Sequence, residues 1–365
     1  MAVKASGSPL SFSEIETEFG QNSDRDLGEY RVSQTVGGLS NQPLDTSIPQ
    51  SGEIKFSDFY GKRLNVIIDY HSGSEENRPS DARAKYQAGS TSGNRTIIGG
   101  FKDRISGDSS GSKVRIHVNK TIGSAKGSAD NCAVRTGSFE TGTVVTVEIG
   151  SSGKLYGAGG DGGHGGTGEG SGSGSGNRNG ASGGTGSSAL GVEFNGTTVI
   201  NNGTISAGFG GGGGGGFRKV EKEEFGPGPV RTANGGGGGG GQGLPAGSGA
   251  GGNASGGNGS LTSGGNGGNG EEEEEAHGGG GGGGGSNGSG GEGGESNDGG
   301  NGSSSKGGNG ANGTHSGSIE SENNVTGEGG SGGGNGAAIR RTSGITVNIT
   351  NNGTITGATN ATGVS

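Results

Sequence analysis

The sequence predicts a mainly β and irregular protein in three parts. These are a small N-terminal attachment segment (1–62), a small antiparallel β domain (63–150), and a C-terminal polyglycine II helix bundle with β caps (151–365). Three observations predict it. Glycine, 101 of 365 residues, is uneven: 19 lie in residues 1–150 and 82 in residues 151–365. β-branched stretches cluster between residues 63 and 150. Beyond residue 150 glycine recurs with period three, as in GGDGGHGGTG (159–168) and GGNGGNG (264–270).

The N-terminal segment holds an internal echo. SFSEIETEFG (11–20) and KFSDFYGK (55–62) each carry Phe-Ser, an acid, an aromatic and a glycine. Phe12, Ile15 and Phe19 have helical spacing, with Ser11 or Ser13 as the cap. In the next part RLNVIIDY (63–70), RTIIGGF (95–101), KVRIHVNKTI (113–122) and TVVTVEIG (143–150) read as strands. Further β runs, VTVEIGSSGKLYGAGG (145–160), TTVINNGTISAGFGG (197–211) and ITVNITNNGTITGAT (345–359), share a plan of a short β run, an Asn-Gly or Ser-Gly turn, then a β-branched or leucine residue and glycine. That plan predicts hairpins, two of them leading into glycine and one following it.

Three all-glycine runs, 210–216, 235–241 and 278–285, interrupt the last part. Flexible linkers need no period. A polyproline II-type helix has three residues per turn, so Asp161, His164 and Thr167 fall on one edge and the other edges are bare backbone. Bare helices can approach closely and bond to neighbours through backbone groups. The all-glycine runs are then expected inside the bundle, and the Gly-Gly-x runs at its surface; seven residues span roughly 22 Å. The competing reading is a disordered linker, since ordering glycine is entropically costly.

Alternation of direction sorts the connections. Six runs, 210–216, 235–241, 264–270, 278–285, 299–313 and 327–336, place the connections 217–234, 271–277 and 315–326 at one pole. The returns 242–263 and 286–298 fall at the other. A shorter connection near 168–172 joins the first pole. The pole so defined is rich in charge and aromatic residues. Candidate contact residues are Phe217, Arg218, Lys219, Lys222, Glu223, Phe225 and Arg231 in the first connection. The second holds Glu271, Glu272, Glu273, Glu274, Glu275 and His277, and the third His315, Ile319 and Glu320. Mixed apolar and charged loops on a rigid scaffold are the usual place of recognition. The structural alternative is a solvated charged turn, with Phe217 capping the bundle.

Several function classes are disfavoured. A net charge of −9 opposes nonspecific binding to nucleic acid. The single Cys132 excludes an internal disulfide and a cysteine-only metal site. EEEEEAH (271–277) is read as a solvated acidic face rather than a metal site. The five histidines lie in separate segments and no phosphate-loop motif occurs, so neither catalysis nor a cofactor is expected. No apolar run is long enough for a membrane span, and the N-terminus lacks a signal-peptide core, so synthesis in a host cytoplasm is expected.

Polyglycine runs separated by charged and aromatic loops resemble the distal tail-fibre adhesins of T-even-like bacteriophages. The resemblance covers about residues 150–365. SPLSFSEIETEFG (8–20), LGEYR (27–31) and IKFSDFYGKRLNV (54–66) are similar instead to virion proteins of marine tailed phages, cyanophages especially. The resemblance implies a virion tail protein whose loops bind a bacterial outer-membrane protein or surface glycan. It also implies docking on a tail fibre or other tail protein through the N-terminal region, as a single copy on a trimeric partner or as a self-trimer. Two other readings are a purely structural tail or capsid decoration and an ice- or surface-binding polyglycine II protein. The pentaglutamate and FRKVEKEEF (217–225) fit the last of these poorly.

Overall fold

The computed structural model describes residues 3–19, 26–30, 35–36, 39–40, 48–49, 51–70, 75–78, 95–98, 111–168, 178–221, 230–273, 276–285, 307–315 and 324–364. Among them α1 (Phe12–Phe19) is the one α-helix, two short 3-10 helices span Leu27–Tyr30 and Phe56–Phe59, and the other described residues are β or irregular. Ser11 opens α1: its backbone N–H and hydroxyl both donate to Glu14 Oε2, at 2.8 and 2.9 Å. The two echoed segments pack on each other. Phe12 meets Phe56 edge-on at 4.9 Å, and Phe19 meets Phe59 at 6.0 Å. Glu18, buried, accepts from the Leu64 N–H at 2.8 Å, which ties the helix to the first long strand.

A two-stranded ribbon, β1 (Thr35–Val36) and β2 (Leu39–Ser40), precedes β3 (Val66–Tyr70), β4 (Glu75–Arg78) and β5 (Arg95–Ile98). The chain then winds repeatedly around three faces. Its strands are β6 (Lys113–Val118), β7 (Thr121–Ser124), β8 (Cys132–Arg135), β9 (Val144–Ile149), β10 (Lys154–Tyr156), β11 (Ser188–Val192), β12 (Thr197–Asn201) and β13 (Thr204–Ser206). A long excursion carries six short strands: β14 (Arg218–Glu221), β15 (Val230–Ala233), β16 (Glu272–Glu273), β17 (Ala276–His277), β18 (Thr314–His315) and β19 (Val325–Thr326). The winding then resumes with β20 (Ile339–Arg341), β21 (Val347–Asn351), β22 (Thr354–Thr356) and β23 (Ala361–Thr362). The three faces are the sheets β21-β12-β9-β6-β3-β5, β22-β13-β10-β7-β4 and β23-β20-β11-β8. Every pairing among them is parallel except β3 with β5.

The antiparallel domain expected from sequence is therefore corrected to parallel coils. Parallel neighbours need a long crossover, and the path over the other two faces supplies it. The expected hairpins are corrected too. β9 and β10 lie in different sheets, as do β12 and β13, and β21 and β22, so the Asn-Gly and Ser-Gly turns are corners. A two-residue hairpin turn needs positive φ, which Gly203 lacks. Gly203 is required for another reason: a Cβ there would overlap the Gly153 carbonyl of the coil beneath. Asn201, buried, fixes the corner. Its amide donates to Asn351 Oδ1 at 2.7 Å and to the Thr354 carbonyl at 3.1 Å, and its Oδ1 accepts from Gly203 N–H. Aliphatic ladders fill the coil interior. Ile68, Ile116, Val147 and Val199 are buried and in register on one face, and Ile122, Leu155 and Ile205 on the second; the ladders end on the terminal coil at Ile349, which is exposed, and Ile355, which is half-buried. The expected β caps are these coils themselves, which run on both sides of Gly150.

Both glycine regions leave the coils at the same corner: residues 157–187 between β10 and β11, and 207–338 between β13 and β20. The glycine runs belong to no strand or α-helix. They are joined to one another by backbone hydrogen bonds of period three. The run 208–217 donates to three neighbours: Gly211 to Gly184, Gly212 to Gly239, and Gly213 to Gly308. It accepts from three more: Gly163 bonds to Gly212, Gly282 to Gly213, and Gly330 to Gly214. Run 235–241 likewise contacts six, donating toward Gly163, Gly282 and Ala254 and accepting from Gly215, Ala250 and Gly268. Both runs are buried, whereas Asp161, His164, Thr167, Asn266 and Asn269 are exposed.

The stretch 242–263, expected to be a simple return, contains two further runs. Gly247, Ala250 and Asn253 donate to Gly241, Gly238 and Gly235, and then Gly256 and Gly259 donate back to Ala250 and Gly247. Every third residue bonds to the neighbouring run there, and Ala250 and Asn253 in that series, with the Ser, Ala and Asn between its members, hide the period. Because the extra runs come as an out-and-back pair, the alternation of poles is unchanged. The return 286–298 lies outside the described residues.

Candidate binding surface

Strands β14 to β19 all lie at the ends of the glycine runs remote from the coils. There, Phe217 N–H donates to Arg178, Glu271 N–H to Asn234, and Gly168 N–H to Asn234 Oδ1. The six strands form two antiparallel three-stranded sheets, β15-β14-β19 and β16-β17-β18, which contact each other. Val220, Ala233 and Ala276 make the buried apolar seam between them. Segments more than a hundred residues apart in sequence thus share one small surface.

The candidate residues take different positions on it. Phe217 is buried, and its ring lies where a Cβ on Gly168 would fall. Arg218 is buried and donates to Thr326 Oγ1 across the strand pair; burial pulls its guanidinium pKa down. Lys219 and Arg231 are half-buried. Glu271 clamps the head of a central glycine run, accepting from Asn234 N–H at 2.7 Å and from its amide at 2.8 Å. Glu272 and Glu273 are exposed. His277 is buried, and neither ring nitrogen has a hydrogen-bond partner among the described residues. His315 pairs with Ala276 through the backbone. Lys222, Glu223, Phe225, Glu274, Glu275, Ile319 and Glu320 lie outside the described residues.

The structure brings in residues that sequence reasoning passed over. Arg178, Thr232, Val230 and Val325 join the expected Phe217 and Lys219 in lining a pocket of about 200 Å³. Arg178 is a lone base within SGNRNG (175–180), beyond the connection expected near 168–172, and no local signal marks it. Among the described residues no cluster of three or more His, Cys, Asp or Glu side chains is arranged to hold a metal ion. No helix among them is long and apolar enough to cross a membrane.

No family model and no curated protein matches the chain. A solved structure does. It is the crystal structure of the gp37-gp38 adhesin tip complex of the bacteriophage S16 long tail fiber, at 18% identity and a TM-score of 0.38. The match covers 98% of this chain and 99% of that chain.

Proposed function

We propose that the protein is a bacteriophage tail-tip adhesin. In this reading residues 151–365 include a polyglycine II bundle that holds its distal loops against a receptor on the bacterial surface, an outer-membrane protein or a glycan. The region 1–62 docks on a tail fibre or another tail protein, and 63–150 continues the β scaffold. No chemical step is involved. The observation that carries the reading is the convergence of strands β14 to β19, from three separate connections, on one pole of a body whose flanks are mostly glycine, serine and asparagine. Six-neighbour, period-three bonding supports the polyglycine II assignment, because a threefold helix presents its donors and acceptors in six directions. The resemblance of the sequence to tail-fibre adhesins supports the place on the virion.

The test is adsorption. Virions carrying the chain with residues 218–233 replaced by a neutral Gly/Ser loop are expected to lose attachment to host cells while the coils and glycine runs stay folded. Unchanged attachment would remove the adhesin reading and leave a purely structural tail component.

A further inference from the structure

The run 247–253 leaves two backbone donors unused. Along it the Ser248 N–H donates to Asp161 Oδ1 at 2.7 Å, Gly249 to Asn258 Oδ1 at 2.8 Å and Ala250 to the Gly238 carbonyl at 2.9 Å. One turn on, Asn253 donates to Gly235 at 2.9 Å. Gly251 and Gly252, between them, donate to no group among the described residues. The threefold period explains the gap. Gly162 and Gly165 bond to the Ser248 and Gly251 carbonyls, so Asp161 and His164 stand at equivalent places against the same run. Asp161 offers a carboxylate to the Ser248 N–H. His164 brings an imidazole instead, its Nδ1 3.6 Å from where a Cβ on Gly251 would lie.

These donors line a cleft of about 380 Å³ on the flank of the glycine body. Run 157–168 supplies His164 and Thr167. It is bonded to Ala181 on one side and Gly251 on the other, and Asn179 and Asn253 stand above those neighbours. Asn234 lies at the distal end, with its amide committed to Glu271 and its Oδ1 to the Gly168 N–H. Asn179 uses its Oδ1 for the Glu328 N–H at 2.9 Å. The His164 ring, the Thr167 hydroxyl, the Asn179 Nδ2 and the Asn253 amide have no partner among the described residues.

Chemistry narrows the ligand. The volume lies within the range of about 300–1,000 Å³ usual for small-molecule sites. The N–H groups of Gly251 and Gly252 call for a carbonyl or carboxylate oxygen. The lining holds no Lys or Arg to meet a carboxylate, and Asp161 stands one turn away, so a neutral carbonyl fits better. Imidazole, hydroxyl and primary amides donate and accept, as the hydroxyls of a sugar do. Ala181 is the single apolar side chain of the lining, too small a surface to anchor an apolar peptide side chain but enough for one face of a sugar ring.

We propose that this cleft binds one neutral acetamido sugar of the bacterial surface, an N-acetylhexosamine unit. Its acetyl carbonyl accepts from Gly251 and Gly252, its ring lies over Ala181, and its hydroxyls meet His164, Thr167, Asn179 and Asn253. The proposal rests on the adhesin reading for its setting, and adds a lateral glycan site to the distal loops.

The experiment is methyl NMR on the full chain, following the Thr167 and Ala181 methyl groups during titration. The probes are methyl N-acetylglucosaminide, methyl N-acetylgalactosaminide, methyl glucoside and N-acetylglycinamide. Saturable shifts are expected with at least one of the two acetamido sugars. Methyl glucoside lacks the carbonyl and should bind about fivefold more weakly or worse, since one neutral hydrogen bond is worth about 1 kcal/mol. N-acetylglycinamide, a peptide fragment with the carbonyl but no ring, should give no saturable shift. Gly251→Leu should abolish binding by filling the cleft; its Cβ meets nothing closer than His164 Nδ1 at 3.6 Å, so the backbone packing is spared. Asn253→Ala should weaken binding about fivefold. Unchanged Ile116 and Val147 methyl signals show that the variants are folded. No saturable shift with either acetamido sugar, equal affinity for methyl glucoside, an equal response to N-acetylglycinamide, or indifference to both variants would overturn the site. Replacement of residues 218–233 leaves the cleft residues in place. Adsorption that is lost in that variant, with no response in the titration, sinks the cleft alone. Acetamido-sugar binding with adsorption unchanged by the replacement upholds the cleft and removes the loops.

Discussion

A single methyl group placed at Gly212 tests how the glycine body is held together. Gly212 lies mid-way along a buried run, and a Cβ there would overlap the carbonyl of Gly282 on the adjacent run. Those two runs are joined by Gly279 to Gly216 at 3.0 Å, Gly282 to Gly213 at 2.8 Å and Gly285 to Gly210 at 2.7 Å. To admit the methyl the runs must separate, and no water reaches the released groups. Losing three bonds at about 1 kcal/mol net each gives about 3 kcal/mol, and the stranded donors and acceptors add more. The matched control is Gly334→Ala. Gly334 is exposed, and the nearest atom to its added Cβ is Thr185 Cγ2 at 3.9 Å, an ordinary contact. Replacing glycine at a compatible site stiffens the unfolded chain and stabilises by about 0.4–1 kcal/mol. Urea denaturation of the two variants should therefore give changes of opposite sign. Equal stability of Gly212→Ala and Gly334→Ala would refute close backbone packing as the reason for the all-glycine run.

Other expected outcomes come from side chains in the coils and the N-terminal helix. Burial pushes the Cys132 thiol up to about 12, so it should resist thiol reagents in the native protein at neutral pH and react fully in denaturant. Arg135 and Glu193 form a buried ion pair at 2.8 Å, with Glu193 also receiving the Gly137 N–H; Glu193→Ala should cost about 3–5 kcal/mol in denaturation experiments because it removes the charge facing a buried guanidinium. Bonds from Lys4 and from the Ser11 backbone and hydroxyl hold Glu14 down to about 2. Its folded pKa is depressed, so its contribution is present above the unfolded value of about 4.3 and lost as pH falls toward about 2. Glu14→Gln should lower the stability of α1 at neutral pH, where the carboxylate contributes, leave it nearly unchanged near pH 2, and so flatten the acid dependence of melting read by circular dichroism.

The strands were legible because β-branched residues mark them, but their pairing was not. Asn-Gly between two short strands is the usual sign of a hairpin, and only the stacked coils reveal that Asn201 and Gly203 serve a corner. Asn201 bonds to residues 150 and 153 positions away, a relation that no local pattern contains. Period three was plain wherever glycine fills two positions of every three, as around Asp161 and His164. It was hidden at 247–253, where Ala250 and Asn253 take the bonded third positions in place of glycine. The shared pole of Lys219, Glu272 and His277 followed from alternation of direction alone. Burial did not: Phe217, Arg218 and His277 are inside the small sheets, because a strand residue's exposure depends on which neighbour covers it. Arg178 escaped notice because its importance comes from a run that lies beside Phe217 in space and 39 positions before it in sequence.

Native-state hydrogen exchange at the glycine amides tests the polyglycine scaffold most directly. Gly212, Gly213, Gly236 and Gly239 donate to neighbouring runs at 2.8 to 3.0 Å and are buried, so their exchange should be as slow as that of Ile116 and Val147 in the coils. Exchange at the rate of an unstructured glycine peptide would mean that the runs are linkers, and a scaffold holding the distal loops in place would not exist.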